Sequence, residues 1–341
     1  MKIKAWRIHE YGGPDVLRLD TVDLPEPSAG EVRVRIKAGG LNRSDLLWMT
    51  AGFFKPVLPS LIGAEICGVV DKVGKEVTAF AVGDRVSNLP IYTKGAANAY
   101  SHFGEYANIP VQELIRTPAN LSDEEGAAFL YTNLTQVCAL VEVAHLKPGQ
   151  TVLVTAGSSA NGMSAIILAR KLGARVIATT RISNKRDMLL GAGADHVVVT
   201  GEESLAARVA EITSGRGADV VYDCVGGALT NEIVSAIATN GKWIMYGFLD
   251  PSPVTINWPM WFMRQPSLHV FSLIQFAGSN ELGLLGKPIE FNEAVNTVIS
   301  LCCSGGLAVP VAQTFQGIES VQTAFRAMEA NIGGGKIVVR F

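Results

Sequence analysis

The segment Thr151–Gly162 constrains this chain most: a short apolar run, Thr151 to Val154, enters a turn of small residues, Thr155-Ala-Gly-Ser-Ser-Ala-Asn-Gly162, and a helical pattern follows. The run predicts a buried strand over Thr151 to Thr155, and Met163, Ile166 and Ile167 mark one face of a helix over Gly162 to Leu172. The alternation then continues. Arg175 to Thr180 reads as a strand, Lys185 to Leu190 as a helix, His196 to Val199 as a strand and Leu205 to Thr213 as a helix. Asp219 to Asp223 and Lys242 to Gly247 read as further strands. Strands separated by helices of this length imply βαβ units and a parallel sheet.

A G-x-G-x-x-G turn between strand and helix is a dinucleotide-binding fingerprint. Here Gly157 and Gly162 hold the first and third positions, and Ser159 holds the second. The first glycine makes the tight turn, the second admits backbone near the pyrophosphate, and the third lets helix pack on strand. Serine is small, and its hydroxyl can bond a phosphate oxygen. Gly157, Ser158, Ser159, Ala160, Asn161 and Gly162 are therefore candidate cofactor contacts, backed by the free N–H groups and positive dipole of the helix start. A strand–turn–helix without ligand looks similar; the βαβ pattern that follows favours the dinucleotide. An NAD site carries an acidic residue about 20 residues on, where it bonds the ribose 2′-OH. This chain has Thr179-Thr180-Arg181-Ile182-Ser183-Asn184-Lys185-Arg186 there, with no carboxylate before Asp187. At the strand end, Thr180, Arg181 and Lys185 become candidates: Arg181 can pair with a 2′-phosphate, and Lys185 adds a second charge. NADPH is the expected cofactor, against the plainer reading of a solvated basic helix start.

The first 120 residues have a different texture. Lys2 to Ile8 and Glu31 to Lys37 alternate as strands, Glu65 to Val73 and Asp84 to Ser87 add two more, and prolines punctuate the loops. Ser122 with Glu125 forms a capping-box signal where the texture changes. Past Pro266 the alternation fades; Ile289 to Ser300 and Ile318 to Ala330 read as helices and Lys336 to Phe341 as a last strand. The expected architecture is α/β: residues 1–122 and 267–341 form a discontinuous β-rich domain, and 123–266 a doubly wound Rossmann domain inserted in it. A net charge of −2 gives no footprint for nucleic acid, and no uncharged apolar run approaches the roughly 20 residues of a membrane span. The N-terminal residues carry Lys2, Lys4 and Arg7 without an apolar core, so no secretory signal is expected. Five cysteines without a framework point to a reducing compartment, hence a cytoplasmic protein.

In order along the chain, Gly12-Gly13-Pro14-Asp15-Val16-Leu17, Gly40-Leu41-Asn42-Arg43-Ser44-Asp45, Leu61-Ile62-Gly63-Ala64-Glu65, Gly83-Asp84-Arg85-Val86 and Gly104-Glu105-Tyr106-Ala107 are followed by Leu172-Gly173-Ala174, Gly191 to Asp195, Tyr222 to Gly226 and Gly334 to Val338. This ordered set resembles the medium-chain dehydrogenase/reductase superfamily, and within it the zinc-free quinone oxidoreductase (zeta-crystallin-like) group. The resemblance runs nearly the whole length and implies a GroES-like substrate domain around a Rossmann core. Zinc-using relatives carry Cys where this chain has Asn42 and His where it has Ala64, with a third ligand near Tyr131. Asn and Ala are not competent zinc ligands, and the segment Asn88 to Glu105 lacks the cysteines of a structural zinc lobe. No metal is expected.

Without a Lewis acid the acceptor must take hydride readily, as quinones and α,β-unsaturated carbonyls do. The resemblance marks Asn42 as a polar contact to substrate oxygen or nicotinamide ribose, and Tyr131 and Thr135 as neighbours of the nicotinamide. Asp45 reads as a helix cap. Trp48, Phe53 and Phe54 are candidate pocket walls or core, and Tyr92 is a loop candidate, like Tyr131, for donating a proton, against a bonded structural tyrosine. The resemblance further implies cofactor contacts at Thr200, at Cys224, Val225 and Gly226, at Tyr246, Gly247 and Phe248, and at Lys336. The apolar stretch Leu268 to Ile274 suggests an edge strand that pairs in a homodimer. Three functions compete: an NADPH-dependent quinone reductase, an enoyl or alkenal double-bond reductase, and a crystallin-like NADPH-binding structural or RNA-binding protein.

Overall fold

In the computed structural model, which describes residues 1–51, 55–91, 102–279, 283–307, 311–330 and 334–341, the strand Glu31–Gly40 buries Val32, Val34 and Ile36 and exposes Arg35. Period-two alternation of this kind puts one face of a strand against a core. The chain divides into two units: Met1–Tyr131 with Ala277–Pro288 and Val309–Phe341, and Thr132–Phe276 with Ile289–Ala308.

The first unit holds a seven-stranded sheet. Its order is Val311–Gln316, Lys336–Arg340, Glu31–Gly40, Glu65–Val73, Arg85–Asn88 and Leu114–Arg116, and Tyr106–Pro110 also pairs with Glu31–Gly40. Lys2–Ile8, flanked by Leu17–Asp23 and Ser60–Leu61, makes a second sheet. One core gathers Trp6, Ile8, Leu46, Phe103, Phe325 and Val339; another gathers Val32, Val34, Ile66, Val86 and Ile109. Gly40 sits at a close approach. A Cβ there would lie 2.0 Å from the Ala127 carbonyl oxygen and 3.2 Å from Lys336 Cε, so only glycine fits.

In the second unit six strands run parallel, in the order His196–Val199, Arg175–Thr180, Thr151–Val154, Ala218–Asp223, Ile237–Met245 and Ser267–Val270. By sequence this is the 3-2-1-4-5-6 order of a Rossmann sheet, and its switch point lies between Thr151–Val154 and Ala218–Asp223. Thr151–Val154, Arg175–Thr180, His196–Val199 and Ala218–Asp223 are short, largely buried runs, as expected where both faces are covered; Leu153, Ile177, Val198, Val221 and Trp243 share one buried cluster.

Some bounds differ from the sequence reading. The Ser122–Glu125 capping box forms, with Glu125 N donating to Ser122 Oγ at 3.1 Å and Ser122 N to Glu125 Oε2 at 2.7 Å, yet the helix Asp123–Gly126 lasts one turn. The next helix, Phe129–Gln136, widens into a π-helical turn over Val137–Val143. The units part at Tyr131 and Phe276. The helix Pro288–Cys303 joins the second unit from Ile289 on, and Phe291, Ala294, Val295, Val298 and Cys302 form its buried face.

Ala156 holds φ at +46°, in the left-handed region that disfavours a side chain. Ala156→Gly is expected to leave stability unchanged or raise it by up to ~1 kcal/mol. Gly162→Ala should lower it, because its Cβ would lie 2.5 Å from the Ala156 oxygen and 2.6 Å from the Gly157 oxygen. Urea midpoints at constant m-value measure both.

Candidate active site

Each parallel strand of the second unit ends in a loop at the same edge of the sheet, the edge where open α/β folds bind ligands. Gly157 to Gly162 follow the first strand, Thr180, Arg181 and Lys185 the second, and Thr200 the third. Cys224, Val225 and Gly226 follow the fourth, and Tyr246, Gly247 and Phe248 the fifth. Ser159 caps the helix Ala160–Lys171 by accepting from Gly162 N at 3.0 Å. Its O–H remains a donor, and the first-turn N–H groups have no partner within the helix. Gly157 N donates to the Thr179 oxygen at 2.8 Å and Ala156 N to Thr179 Oγ1 at 3.1 Å, which ties the turn to the second strand. Thr200 N donates to the Thr180 oxygen at 2.8 Å, and Arg181 and its neighbour Ile182 are exposed beyond it. This loop fits an anionic dinucleotide: its turn is too tight for a Cβ at Gly162, and the cation Arg181 follows the second strand.

The switch point is organised by a residue that the sequence reading did not single out. Asp223 is fully buried, and its carboxylate accepts from Thr155 Oγ1 at 2.6 Å, Val225 N at 2.9 Å, Gly226 N at 3.3 Å and Trp243 Nε1 at 3.3 Å. Burial raises its pKa, and these donors oppose the shift. Thr155 Oγ1 in turn accepts from Cys224 N at 3.1 Å. Beyond Asp223 the two loops zip together: Tyr246 N donates to the Asp223 oxygen at 2.8 Å, Leu249 N to the Cys224 oxygen at 2.9 Å and Asp250 N to the Val225 oxygen at 2.9 Å. Tyr222 and Tyr246 stack with ring centroids 4.0 Å apart. Burial pushes the Cys224 thiol up to about 12, which leaves it a small apolar group rather than a nucleophile.

The first unit holds a buried ionic cluster. Lys336 Nζ donates to Asn42 Oδ1 at 2.6 Å and to Glu65 Oε2 at 2.7 Å, and the side chains of Lys336 and Glu65 are each 2% exposed. Tyr131 N donates to Glu65 Oε1 at 3.0 Å. Asn42 Nδ2 has only long contacts, at 3.4 Å, to the Gly40 oxygen and to Glu65 Oε2. Asn42 precedes the helix Arg43–Met49, and its N–H donates to Asp45 Oδ2 at 2.8 Å, so Asp45 acts as the helix-start acceptor. Burial pushes the Asp45 carboxyl up to about 7, against the pull of the Asn42 N–H and of Lys336. Burial likewise raises the Tyr131 phenol to about 12, partly offset by a hydrogen bond with Ser44. Tyr131 would therefore stay protonated, a donor rather than a phenolate.

Asn42, Tyr131 and Lys336 thus converge on Glu65. Lys336, for which the resemblance implies a cofactor contact, lies in this unit. Thr135 is buried on the helix Phe129–Gln136, one turn beyond Tyr131. Trp48 Nε1 donates to Ser60 Oγ at 3.2 Å. Phe53, Phe54 and Tyr92 lie outside the described residues. Among the described residues no three His, Cys, Asp or Glu side chains group as metal ligands.

Residues 28–119 match the family described as the alcohol dehydrogenase GroES-like domain, and residues 160–283 the family described as zinc-binding dehydrogenase. Quinone oxidoreductase 1 of Escherichia coli K12 is 31% identical over 328 residues, 96% of either chain. A quinone oxidoreductase of Pseudomonas syringae pv. tomato DC3000 superposes with a TM-score of 0.87 at 27% identity, over 99% of this chain and 100% of that one. The Escherichia coli quinone oxidoreductase solved in complex with NADPH gives 0.85 at 28% identity, over 99% and 100%.

Two outcomes follow from the buried carboxyls. Asp45 has a higher pKa folded than its ordinary 3.8, so the folded state binds the extra proton and stability falls as pH rises from about 4 to about 7. The slope reaches ~1.4 kcal/mol per pH unit. Asp45→Asn should flatten that window in urea titrations at fixed pH values. Asp223→Ala should cost about 3 kcal/mol or more, because four donors lose their acceptor. A thermal midpoint near wild type would contradict it.

Proposed function

The chain belongs to the medium-chain dehydrogenase/reductase superfamily, and on that premise we propose that it is an NADPH-dependent, zinc-independent reductase that passes hydride to a quinone. The observation that carries this reading is the donor set around Glu65. Its carboxylate and the Asn42 amide oxygen both hold the Lys336 ammonium, and Ala64 supplies no ligand atom. A zinc ion at this point would meet one carboxylate already paired with a cation. Without a Lewis acid, a ketone gains little help in accepting hydride, whereas a quinone spreads the incoming charge over its ring.

When bound, NADPH supplies the hydride. The protein's residues bind and orient. Gly157 to Gly162 would cradle the pyrophosphate, and Arg181, with Lys185 nearby, would take the 2′-phosphate in place of a ribose-binding carboxylate. Asn42 would donate to the acceptor oxygen, and Tyr131, which stays protonated and whose backbone N–H shares Glu65 with Asn42, is the candidate proton donor. The NADPH-bound E. coli relative supports the cofactor assignment.

A homodimer is part of the same reading. In the edge strand Ser267–Val270, Leu268 and Val270 are exposed, and the helix Trp258–Arg264 exposes Trp258, Phe262 and Met263. An open edge with such a patch calls for a partner, and pairing with its own copy across a two-fold axis would cover it. Among the described residues no helix is long and apolar enough to cross a membrane. The free thiols and the charge of −2 support a cytoplasmic protein without a nucleic-acid partner.

The test is NADPH oxidation by chelator-treated protein against 1,2-naphthoquinone, 1,4-benzoquinone and a 2-alkenal, with NADH as control. Quinone turnover that survives chelation and prefers NADPH is expected. Turnover with the alkenal alone would replace quinone reduction by double-bond reduction, and loss on chelation would restore zinc. Arg181→Ala should raise KM for NADPH about tenfold while leaving KM for NADH unchanged. Val270→Asp should halve the mass measured by light scattering; an unchanged mass would remove the edge strand from the interface.

A further inference from the structure

Lys336 is buried, its ammonium points into the protein, and it is withdrawn from solvent together with Glu65. It therefore acts through the groups that it touches. We propose that Lys336 is a positioning residue: its ammonium fixes the side-chain amide of Asn42 so that the amide oxygen is engaged and the N–H groups remain as donors for a negatively charged oxygen of the acceptor.

The orientation of an amide is normally ambiguous, since its oxygen and nitrogen have similar shapes. Here a neighbour decides it. An ammonium has donors and no acceptor, so the atom 2.6 Å from Lys336 Nζ must be the oxygen of Asn42. The reverse orientation would set N–H groups against a buried cation. With the oxygen fixed, Nδ2 is directed by the planarity of the amide. Its two acceptors within the protein, the Gly40 oxygen and Glu65 Oε2, both lie at 3.4 Å, long for an N–H···O bond. Asn42 is half-buried, so this weakly engaged donor is not sealed in the core. A cation on the amide oxygen also draws electron density from the nitrogen and strengthens its N–H groups as donors.

Further contacts hold the arrangement. Asp45 Oδ2 pins the backbone N–H of Asn42, and Tyr131 N holds the other oxygen of Glu65. Gly40 leaves the space through which the Lys336 side chain passes. The donor thus serves the developing charge on a quinone or enone oxygen, the site where pre-set hydrogen bonds lower a barrier. This inference rests on the reductase reading for its substrate, but not for its geometry.

The experiment has two arms. Lys336→Met alone would strand the Glu65 charge, so the working variant is Lys336→Met with Glu65→Gln, which is neutral and of similar shape. In the first arm, kcat/KM for the quinone is measured in wild type, the paired variant, Asn42→Ala, and the triple variant, with NADPH affinity read by fluorescence. The paired variant should lose about tenfold or more in kcat/KM with NADPH affinity unchanged. The same pair should cost less than about twofold once Asn42 is alanine, because coupled residues are not additive. An equal loss in both backgrounds overturns the proposal, since a merely structural role costs the same with or without Asn42. In the second arm, the Asn42 side-chain resonance, assigned by its absence in Asn42→Ala, is followed in protein labelled with 15N-asparagine. It should move by more than its line width in the paired variant. An unmoved resonance overturns the proposal. Absence of turnover in wild type would defeat the reductase reading, and the resonance alone would then decide whether Lys336 sets the amide.

Discussion

A carboxylate withdrawn from water must have its charge matched by donors or by a cation, and each unit of this protein is arranged around one such group. Glu65 ends a loop and opens a strand, Asp223 closes a strand, and both are buried. Burying an unmatched charge costs far more than most single contacts return. The matching groups therefore constrain where distant segments can go. Glu65 requires Lys336, Asn42 and the Tyr131 N–H at one point. Asp223 requires Thr155, the turn Val225–Gly226 and the Trp243 indole at another. Slipping any of these strands by one residue would turn the partner side chain to the opposite face.

The two carboxylates do different work. Asp223 touches no cation among its acceptor contacts; it collects backbone and side-chain donors and so shapes the loops at the switch point. Glu65 holds a cation, and that cation comes from the chain. An ammonium and a divalent metal both neutralise a carboxylate, yet only the metal can take an oxygen lone pair into its coordination shell. On the proposed reading, an internal lysine keeps the electrostatic balance of the site and would limit help to a substrate to hydrogen bonds and position. This narrows the acceptors that such a site can serve to those that carry their own electron sink.

Much of this was legible in the residues, for identifiable reasons. Lys2–Ile8, Glu65–Val73, Arg175–Thr180 and His196–Val199 have the bounds their patterns predict, because a change of texture or a turn residue brackets each run. The strand Ile237–Met245 begins earlier than its apolar run, since Thr239-Asn240-Gly241 interrupts the pattern and Asn240 sits at φ +58°. The helix Trp258–Arg264 was hidden by its composition: Pro259 is an N-terminal residue of it, and its large apolar side chains face outward. Nothing in a sequence distinguishes the wide turn Val137–Val143 from an ordinary helix. At the candidate site, the strand–turn–helix around Gly157 to Gly162 was readable because its parts are contiguous. The Lys336–Glu65 pair was not, because its members are 271 residues apart and neither carries a motif that names the other.

That separation has a consequence for how the molecule comes into being. A ribosome releases Glu65 early and Lys336 only after the whole run from Thr132 to Phe276 has been made. Until then the strand Glu31–Gly40 lacks its neighbour Lys336–Arg340, and the carboxylate lacks its counter-charge. The first unit, begun first, is completed second. In the interval Glu65 lacks its partner, so burial of this carboxylate waits for the lysine.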